Sequence, residues 1–205
     1  MSCAGMRIIG LTGGIATGKS TVAGFMTEAG LIVIDADQLS REAVLPGSAA
    51  LKRIVERFGG QVLQPDGGLD RRKLADVVFS DPEQRRVLEE ILHPEIRRLA
   101  EERIYQARLN GAAIVIYMAP LIIEAGATDR VDEIWVVTVR PDIQIERLMK
   151  RNGIGRDEAT RIIASQMPLP EKERFGRIVI DNSGPIEETR QRVRELCRRE
   201  LETRE

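Results

Sequence analysis

The sequence predicts an α/β fold in which a five-stranded parallel sheet is covered by helices on both faces. Three observations carry this expectation. Apolar runs at 6–11 (MRIIGL), 31–35 (LIVID), 112–118 (AAIVIYM), 133–139 (EIWVVTV) and 177–181 (RIVID) are near-continuous rather than alternating, as strands buried on both faces are. Helical patterns separate them, which parallel strands need for their crossovers. Two longer helical blocks, 41–104 and 143–174, interrupt the alternation and read as insertions into one core.

Taken in order, strand 6–11 ends in glycines and a helix follows over 19–29, closed by Gly30 in a C-cap position. Strand 31–35 leads to a helix over 37–45 that stops at Pro46-Gly47. Helices are then expected at 48–58, 70–79, 82–92 and 94–109, punctuated by Gly59-Gly60 and Pro65-Asp66-Gly67-Gly68. Ser80-Asp81-Pro82 reads as an N-cap followed by proline at the first helical position. Leu92-His93-Pro94 reads as a helix junction, because the residue before a proline avoids the α region. Beyond strand 133–139, Pro141-Asp142 opens a helix to about Asn152, Gly153–Gly155 breaks it, and 156–166 forms the next. Pro185 starts a charged C-terminal helix to about 203, whose Val193/Leu196 stripe docks on the core.

At 205 residues the chain can build one good core with small inserts. Hydrophobic residues at 42% and charged residues at 31% describe an ordinary folded protein. The net charge of −1 provides no global positive field for a nucleic acid, so any anionic partner is held by local charge. Arginine dominates the positive charge, 26 Arg against 5 Lys. Cys3 and Cys197 form neither a disulfide framework nor a metal site, and with one histidine a structural zinc is not expected. No apolar run approaches the ~18 residues of a membrane span. The first five residues lack the apolar region of a signal peptide and read as a short leader before a second possible start at Met6. The expectation is a cytoplasmic monomer acting on a small molecule, with no nucleic acid and no membrane partner.

Gly13-Gly14-Ile15-Ala16-Thr17-Gly18-Lys19-Ser20 matches G-x-x-x-x-G-K-[ST] between a strand and a helix, the context a phosphate-binding loop requires. Such a loop turns several backbone N–H groups inward, through angles that glycine tolerates. The helix behind it adds its positive end. Gly13, Gly14, Ala16, Thr17 and Gly18 form the cradle, Lys19 reaches the β- and γ-phosphates of ATP, Ser20 ligates Mg²⁺ and Thr21 meets the α-phosphate. Ala16 stands where glycine is often found. The loop makes this a P-loop NTPase three-layer fold. No N-K-x-D guanine reader is present, and the strand ending at Met118 carries no magnesium-binding acid, which argues against a GTPase and a motor. A small kinase that closes over its substrate fits the size and the inserts.

Ile34-Asp35-Ala36-Asp37 follows the second strand, at the carboxyl edge where ligands sit in open α/β sheets. Alternation sends Asp35 and Asp37 to the same side while the chain stays extended. Phosphoryl transfer needs a carboxylate that orients or deprotonates the acceptor hydroxyl. Asp37 is assigned to that hydroxyl or to a metal-bound water; capping the next helix is its other reading. Asp35 is the second candidate.

With LTGGIATGKSTVA (11–23), IDAD (34–37), LHPEI (92–96), APLIIEAG (119–126), the arginine-bearing helix 143–151 and VIDNSG (179–184), the chain resembles the dephospho-coenzyme A kinase family from about Met6 to the C-terminal helix. The resemblance implies transfer of the γ-phosphate of ATP to the ribose 3′-hydroxyl of dephospho-CoA. It implies a nucleotide-binding core over 6–40, 105–142 and 175–205, a helical substrate-binding domain over 41–104 and a small helical lid over 143–174, with Asp37 as the base. His93 then contacts the CoA moiety or holds an interhelical turn. Pro120 and Glu124 lie at the sheet's carboxyl edge, where Glu124 faces substrate or a cation, caps the following helix, or pairs with an arginine. Arg147 and Arg151 share one helix face, and either is a candidate for the phosphates, with Arg140 a third. Asn182 and Gly184 fall where the family builds its adenine pocket. Departures from the family pattern are Met118 in place of a frequent acid, Ile122 and Ile123, and Phe175-Gly176-Arg177.

Overall fold

The apolar runs do form one sheet. The computed structural model describes residues 5–79 and 81–202; Cys3 and Ser80 lie outside them. Strands β1 (Arg7–Gly13), β2 (Ile32–Asp35), β3 (Ile114–Met118), β4 (Glu133–Thr138) and β5 (Ile178–Asp181) lie in the order β2-β3-β1-β4-β5. β1 pairs in parallel with β3 and β4, and β4 with β5. The register sets Leu11 beside Met118 and Gly13 beside Val137, so the phosphate motif leaves the sheet between two neighbouring strand ends. The helices are α1 (Lys19–Glu28), α2 (Ala36–Glu42), α3 (Ala49–Phe58), α4 (Arg71–Phe79), α5 (Pro82–Leu109), α6 (Pro141–Asn152), α7 (Arg156–Ala164), α8 (Leu169–Glu173) and α9 (Ile186–Glu202).

All five residues of β3 are buried, as are Ile134–Val137 of β4, so both faces of the sheet centre are covered. On one face Ile9, Leu11, Ile116, Met118, Trp135 and Val137 pack with Val22, Phe25 and Met26 of α1 and with Val193, Leu196 and Cys197 of α9. Full burial of each such large side chain contributes about 1.5–3 kcal/mol. The Val193/Leu196 stripe docks as the periodicity requires. Burial pushes the Cys197 thiol up to about 11, which makes it an inert core residue.

The chain divides into two compact units, one running up to Ile34 and from Ala107 onward, the other Asp35–Gln106. The second unit has a core of its own, in which Val44, Ile54, Phe58, Val62, Leu74 and Ile91 meet. Among the described residues no helix is long and apolar enough to cross a membrane.

Three expectations about elements change. The junction at Leu92-His93-Pro94 does not exist: α5 is one helix with Pro94 inside it. Proline removes one i→i−4 bond, here to the carbonyl of Glu90, but Ile91 before it and Leu99 and Ala100 after it are buried, and that packing holds both halves on one path. Second, α8 was not expected at all; at five residues it is shorter than any periodicity can reveal. Third, the helix after β2 begins one residue earlier, at Ala36, and ends at Glu42. The cap of α5 falls on Asp81, whose carboxylate accepts from the backbone N–H of Glu83 (2.9 Å) and Gln84 (3.4 Å), with Pro82 at the first helical position.

Candidate functional site

The loop between β1 and α1 is shaped by its glycines. Gly18, the N-terminal boundary of α1, sits at φ 86°, and a Cβ there would collide with the Asn182 side-chain nitrogen. A Cβ on Gly13 would lie 2.5 Å from the Val137 carbonyl oxygen. Ala16 adopts φ 61°, the one non-glycine residue at positive φ among the described residues. A left-handed L-residue costs roughly 1–2 kcal/mol, so the alanine in place of glycine carries local strain. Helix α1 has no side-chain cap and no acidic residue in its first turn. Its positive end is therefore neither satisfied nor neutralised from within, the condition for receiving an anion. Lys19 is half-buried at this end, and Ser20 and Thr21 are exposed beside it.

Side-chain amides, two of them buried, brace the loop from outside. Gln144 on α6 donates from Nε2 to the Ile15 carbonyl (2.8 Å), while the Ile15 N–H donates to Gln166 Oε1 (2.8 Å). Asn182 donates from Nδ2 to the Thr17 carbonyl (2.8 Å), and the fully buried Thr17 hydroxyl donates to the Gly14 carbonyl (2.9 Å). Each such bond contributes about 0.5–1.5 kcal/mol net, and losing one partner of a buried pair costs more. The turn presenting Asn182 is itself fixed. Asp181 accepts from Ser183 Oγ (2.5 Å) and N–H (2.9 Å), bonds that hold its carboxyl below the ordinary carboxylate range.

The two arginines of α6 separate here. Arg147 donates from Nη2 to the Asn182 carbonyl (3.0 Å), and its Nη1 lies 3.7 Å from the position a Cβ would take on Gly18. Arg151 is exposed and bonds only its neighbour's Asn152 Oδ1 (3.0 Å) among the contacts seen. Arg140 is exposed beside Asp142, 3.5 Å away. The structure thus joins Arg147, Asn182 and the loop into one cluster, and leaves Arg151 and Arg140 on the surface. The Asn182 side chain meets the loop backbone, and Gly184 is exposed beyond it.

Pro120 and Glu124 follow β3. The Pro120 carbonyl accepts from Thr12 Oγ1 (3.1 Å) and from Lys172 Nζ (3.0 Å), and Glu124 pairs with the same lysine at 2.7 Å. The partner of Glu124 is thus a lysine, not an arginine. Met118 packs in the apolar core, so the end of β3 offers no carboxylate.

In the helical unit, Asp35 ends β2 and at once caps α2, accepting from the N–H of Asp37 (2.9 Å) and Gln38 (3.4 Å). The chain is therefore not extended across Ala36, and the two acids do not share a side by alternation. Capping falls to Asp35, which leaves the Asp37 carboxylate exposed in the first turn. His93 is exposed on the continuous α5 and holds no interhelical turn.

Among the described residues no group of three or more His, Cys, Asp or Glu side chains could hold a metal. The Ser20 hydroxyl is exposed at the head of α1.

Gln144, Gln166 and Lys172 were not foreseen. Gln144 had one signal: it stands four residues before Leu148, so it is a polar residue on the buried stripe of α6. Gln166 and Lys172 lie in short irregular or five-residue segments and had none.

The family model for dephospho-CoA kinase matches residues 7–188. A dephospho-CoA kinase of Geobacter sulfurreducens is 52% identical over 191 residues, covering 93% of this chain and 97% of its own. One from Carboxydothermus hydrogenoformans is 45% identical over 188 residues, covering 92% of this chain and 91% of its own. Among solved structures, a Thermus thermophilus protein superposes with a TM-score of 0.81 at 34% identity, covering 96% of this chain and 98% of its own. The dephospho-CoA kinase of Campylobacter jejuni has the same fold, with a TM-score of 0.74 at 24% identity over 97% of this chain and 98% of its own.

Proposed function

The chain belongs to the dephospho-CoA kinase family, and from that premise we propose that it transfers the γ-phosphate of ATP to the ribose 3′-hydroxyl of dephospho-CoA, giving CoA and ADP. The observation that carries the reading is the loop Gly13–Thr21 feeding an uncapped, acid-free helix end with Arg147 joined to it. The loop N–H groups and Lys19 hold the β- and γ-phosphates, and Arg147 adds positive charge where negative charge spreads in the transition state. The Ser20 hydroxyl would hold Mg²⁺, which would supply neutralisation of the phosphate charge. Asp37 accepts the proton of the 3′-hydroxyl as that oxygen bonds to the γ-phosphorus and the bond to the β,γ-bridging oxygen breaks. Its release from capping duty by Asp35 supports this role.

The block 41–104 is proposed as the acceptor domain, with His93 on its surface and with Pro120 and Glu124 framing the acceptor from the core. The block 143–174 is proposed as a lid that closes to exclude water, which would otherwise compete as acceptor. The further reading is a cytoplasmic monomer working on a small molecule, and the net charge of −1 offers no global positive field for a nucleic acid.

The test is incubation with ATP and dephospho-CoA followed by mass detection of one added phosphate. Lys19→Ala is expected to abolish turnover. Asp37→Asn should lower kcat by about 10²–10⁴-fold while ATP affinity changes little. Protein that binds ATP yet forms no product overturns the assignment, and an equal loss of kcat and ATP affinity in Asp37→Asn moves that residue to metal binding or structure.

A further inference from the structure

Lys172 on α8 is fully buried, a place lysine almost never takes unless paired. Its ammonium donates to the Pro120 carbonyl at 3.0 Å and lies 2.7 Å from Glu124 Oε1. The same carbonyl accepts from Thr12 Oγ1, and Thr12 is the buried residue immediately before Gly13. Next to Lys172, Glu173 accepts from Thr138 Oγ1 at 2.6 Å, at the end of β4. Six residues before Lys172, Gln166 holds the Ile15 N–H. The segment 166–173 is thus tied to the phosphate loop, to the end of β4 and to the chain leaving β3.

Stability alone does not explain a lysine here. Burying the lysine end of an ion pair is no better for stability than a well-packed apolar residue of similar volume, and with the Glu124 end still in water methionine would fill the space without desolvating a charge. The lysine does two things that methionine cannot. It fixes the Pro120 peptide, already bonded to Thr12, relative to the loop. It also neutralises Glu124 at a sheet edge that has to accept polyanions, where an unpaired carboxylate would repel them.

We propose that Lys172 is a positioning residue for phosphoryl transfer: through Pro120 and Glu124 it sets the acceptor-facing segment after β3 against the phosphate loop. The proposal rests on the functional reading above and adds a residue that reading does not use. Lys172 touches neither substrate; it acts through Glu124 and the Pro120 carbonyl.

The experiment uses the full-length protein and four variants, Lys172→Met, Lys172→Arg, Glu124→Gln and the double variant Lys172→Met/Glu124→Gln. ATP affinity by titration, kcat and KM for dephospho-CoA, and Tm are measured for each. Lys172→Met and Glu124→Gln should each lower kcat/KM for dephospho-CoA about tenfold to a hundredfold, the scale of a misplaced substrate-positioning group. ATP affinity should stay within about twofold, the effect of a change that does not touch its site. The double variant should be no worse than the poorer single one, because the pair acts as a unit. Lys172→Arg should recover part of the loss. Unchanged kinetics, or a parallel loss of ATP affinity, acceptor kinetics and Tm, overturns the proposal. If Lys172→Met fails to fold, Glu124→Gln still decides, since it keeps the volume and removes only the charge. Wild-type protein that binds ATP without phosphorylating dephospho-CoA overturns the functional reading and this proposal with it; active wild type with unaltered variants overturns the positioning role alone.

Discussion

Around the phosphate loop the bracing amides come from far away in sequence: Gln166 and Gln144 reach Ile15 across 151 and 129 positions, and Asn182 reaches Thr17 across 165. Along α5 most polar contacts are local. Arg85–Glu89, Arg86–Glu83, Arg86–Glu90, Arg97–Glu101, Arg98–Glu95 and Arg98–Glu102 all join residues three or four apart on its exposed face, while Arg103 reaches far, to Glu42 at 3.0 Å. The second region has more charge and shorter distances, yet less depends on it. An exposed pair that breaks is replaced by water, so it is worth little. A buried amide that loses its partner finds no water in its place. The count of ion pairs is thus a poor guide to where the molecule is vulnerable.

The largest test of that contrast lies within α6, where one helix carries an arginine of each kind. Arg147→Ala should lower kcat by about 10²-fold or more, the usual cost of removing a preorganised charge from a transition state. Arg151→Ala should change it by less than about threefold, as an exposed substitution does. Steady-state assays of both variants decide, and equal losses would erase the distinction. Next in size is Asn182→Ala. It leaves the Thr17 carbonyl without its donor, at about 1–3 kcal/mol. In a chain of this length that lowers Tm by about 4–8 °C for a loss near 2 kcal/mol, read in a thermal melt, together with a weaker grip on ATP.

The reach of these contacts also explains what could be read in advance. The five strands and the loop were legible because their signal is local: an apolar run, then glycines and a lysine at fixed spacing. Ala16 was legible as a departure, but not that it sits at φ 61°. Gln144, Gln166 and Lys172 were not legible as a set, because nothing in their own segments announces partners more than fifty positions away. Two local rules also gave wrong answers. Pro94 was expected to end a helix that packing on both sides carries through. Alternation was expected to pair Asp35 with Asp37 across a stretch where the chain has already turned into α2. In both cases the rule was sound and a neighbouring interaction was stronger.

Acid tests a third kind of contact, a long-range ion-pair cluster. On α9 Glu200 accepts from Arg7 (2.5 Å) and Arg177 (2.6 Å), and Arg177 also pairs with Glu133. Burial alone would raise the Glu200 carboxyl, but the hydrogen bonds from Arg177 and Arg7 and their charges outweigh it and hold it below the ordinary value. A carboxyl lowered on folding contributes stability that is fully present above its unfolded value, near 4.5, and is lost as pH falls through the folded value. Glu200→Gln should therefore destabilise the protein at pH 7 and lose that penalty progressively below about pH 4, measured by denaturant melts across the range. A penalty that stayed constant with pH would mean that the amide is disfavoured for reasons other than charge.

The smallest effect is expected at Arg98, although it holds two carboxylates. Its hydrogen bonds to Glu95 lower that carboxyl, and those to Glu95 and Glu102 raise its own affinity for its proton. All three side chains remain in contact with water, so the shifts report proximity rather than stored energy. Arg98→Ala should leave the stability close to that of the wild type, because the lost stem and ion pairs are exposed and alanine's higher helix propensity offsets part of their loss. Raising the ionic strength should shrink the cost further, because the Debye length falls from about 10 Å at 0.1 M to about 3 Å at 1 M salt. The same salt should leave the cost of Asn182→Ala unchanged, since no charge is involved. If Arg98→Ala instead destabilised the protein as much as Asn182→Ala does, and kept that cost at 1 M salt, the helix would depend on its ion pairs through a buried contact, and the division between a loop braced from afar and a helix braced by its neighbours would fail.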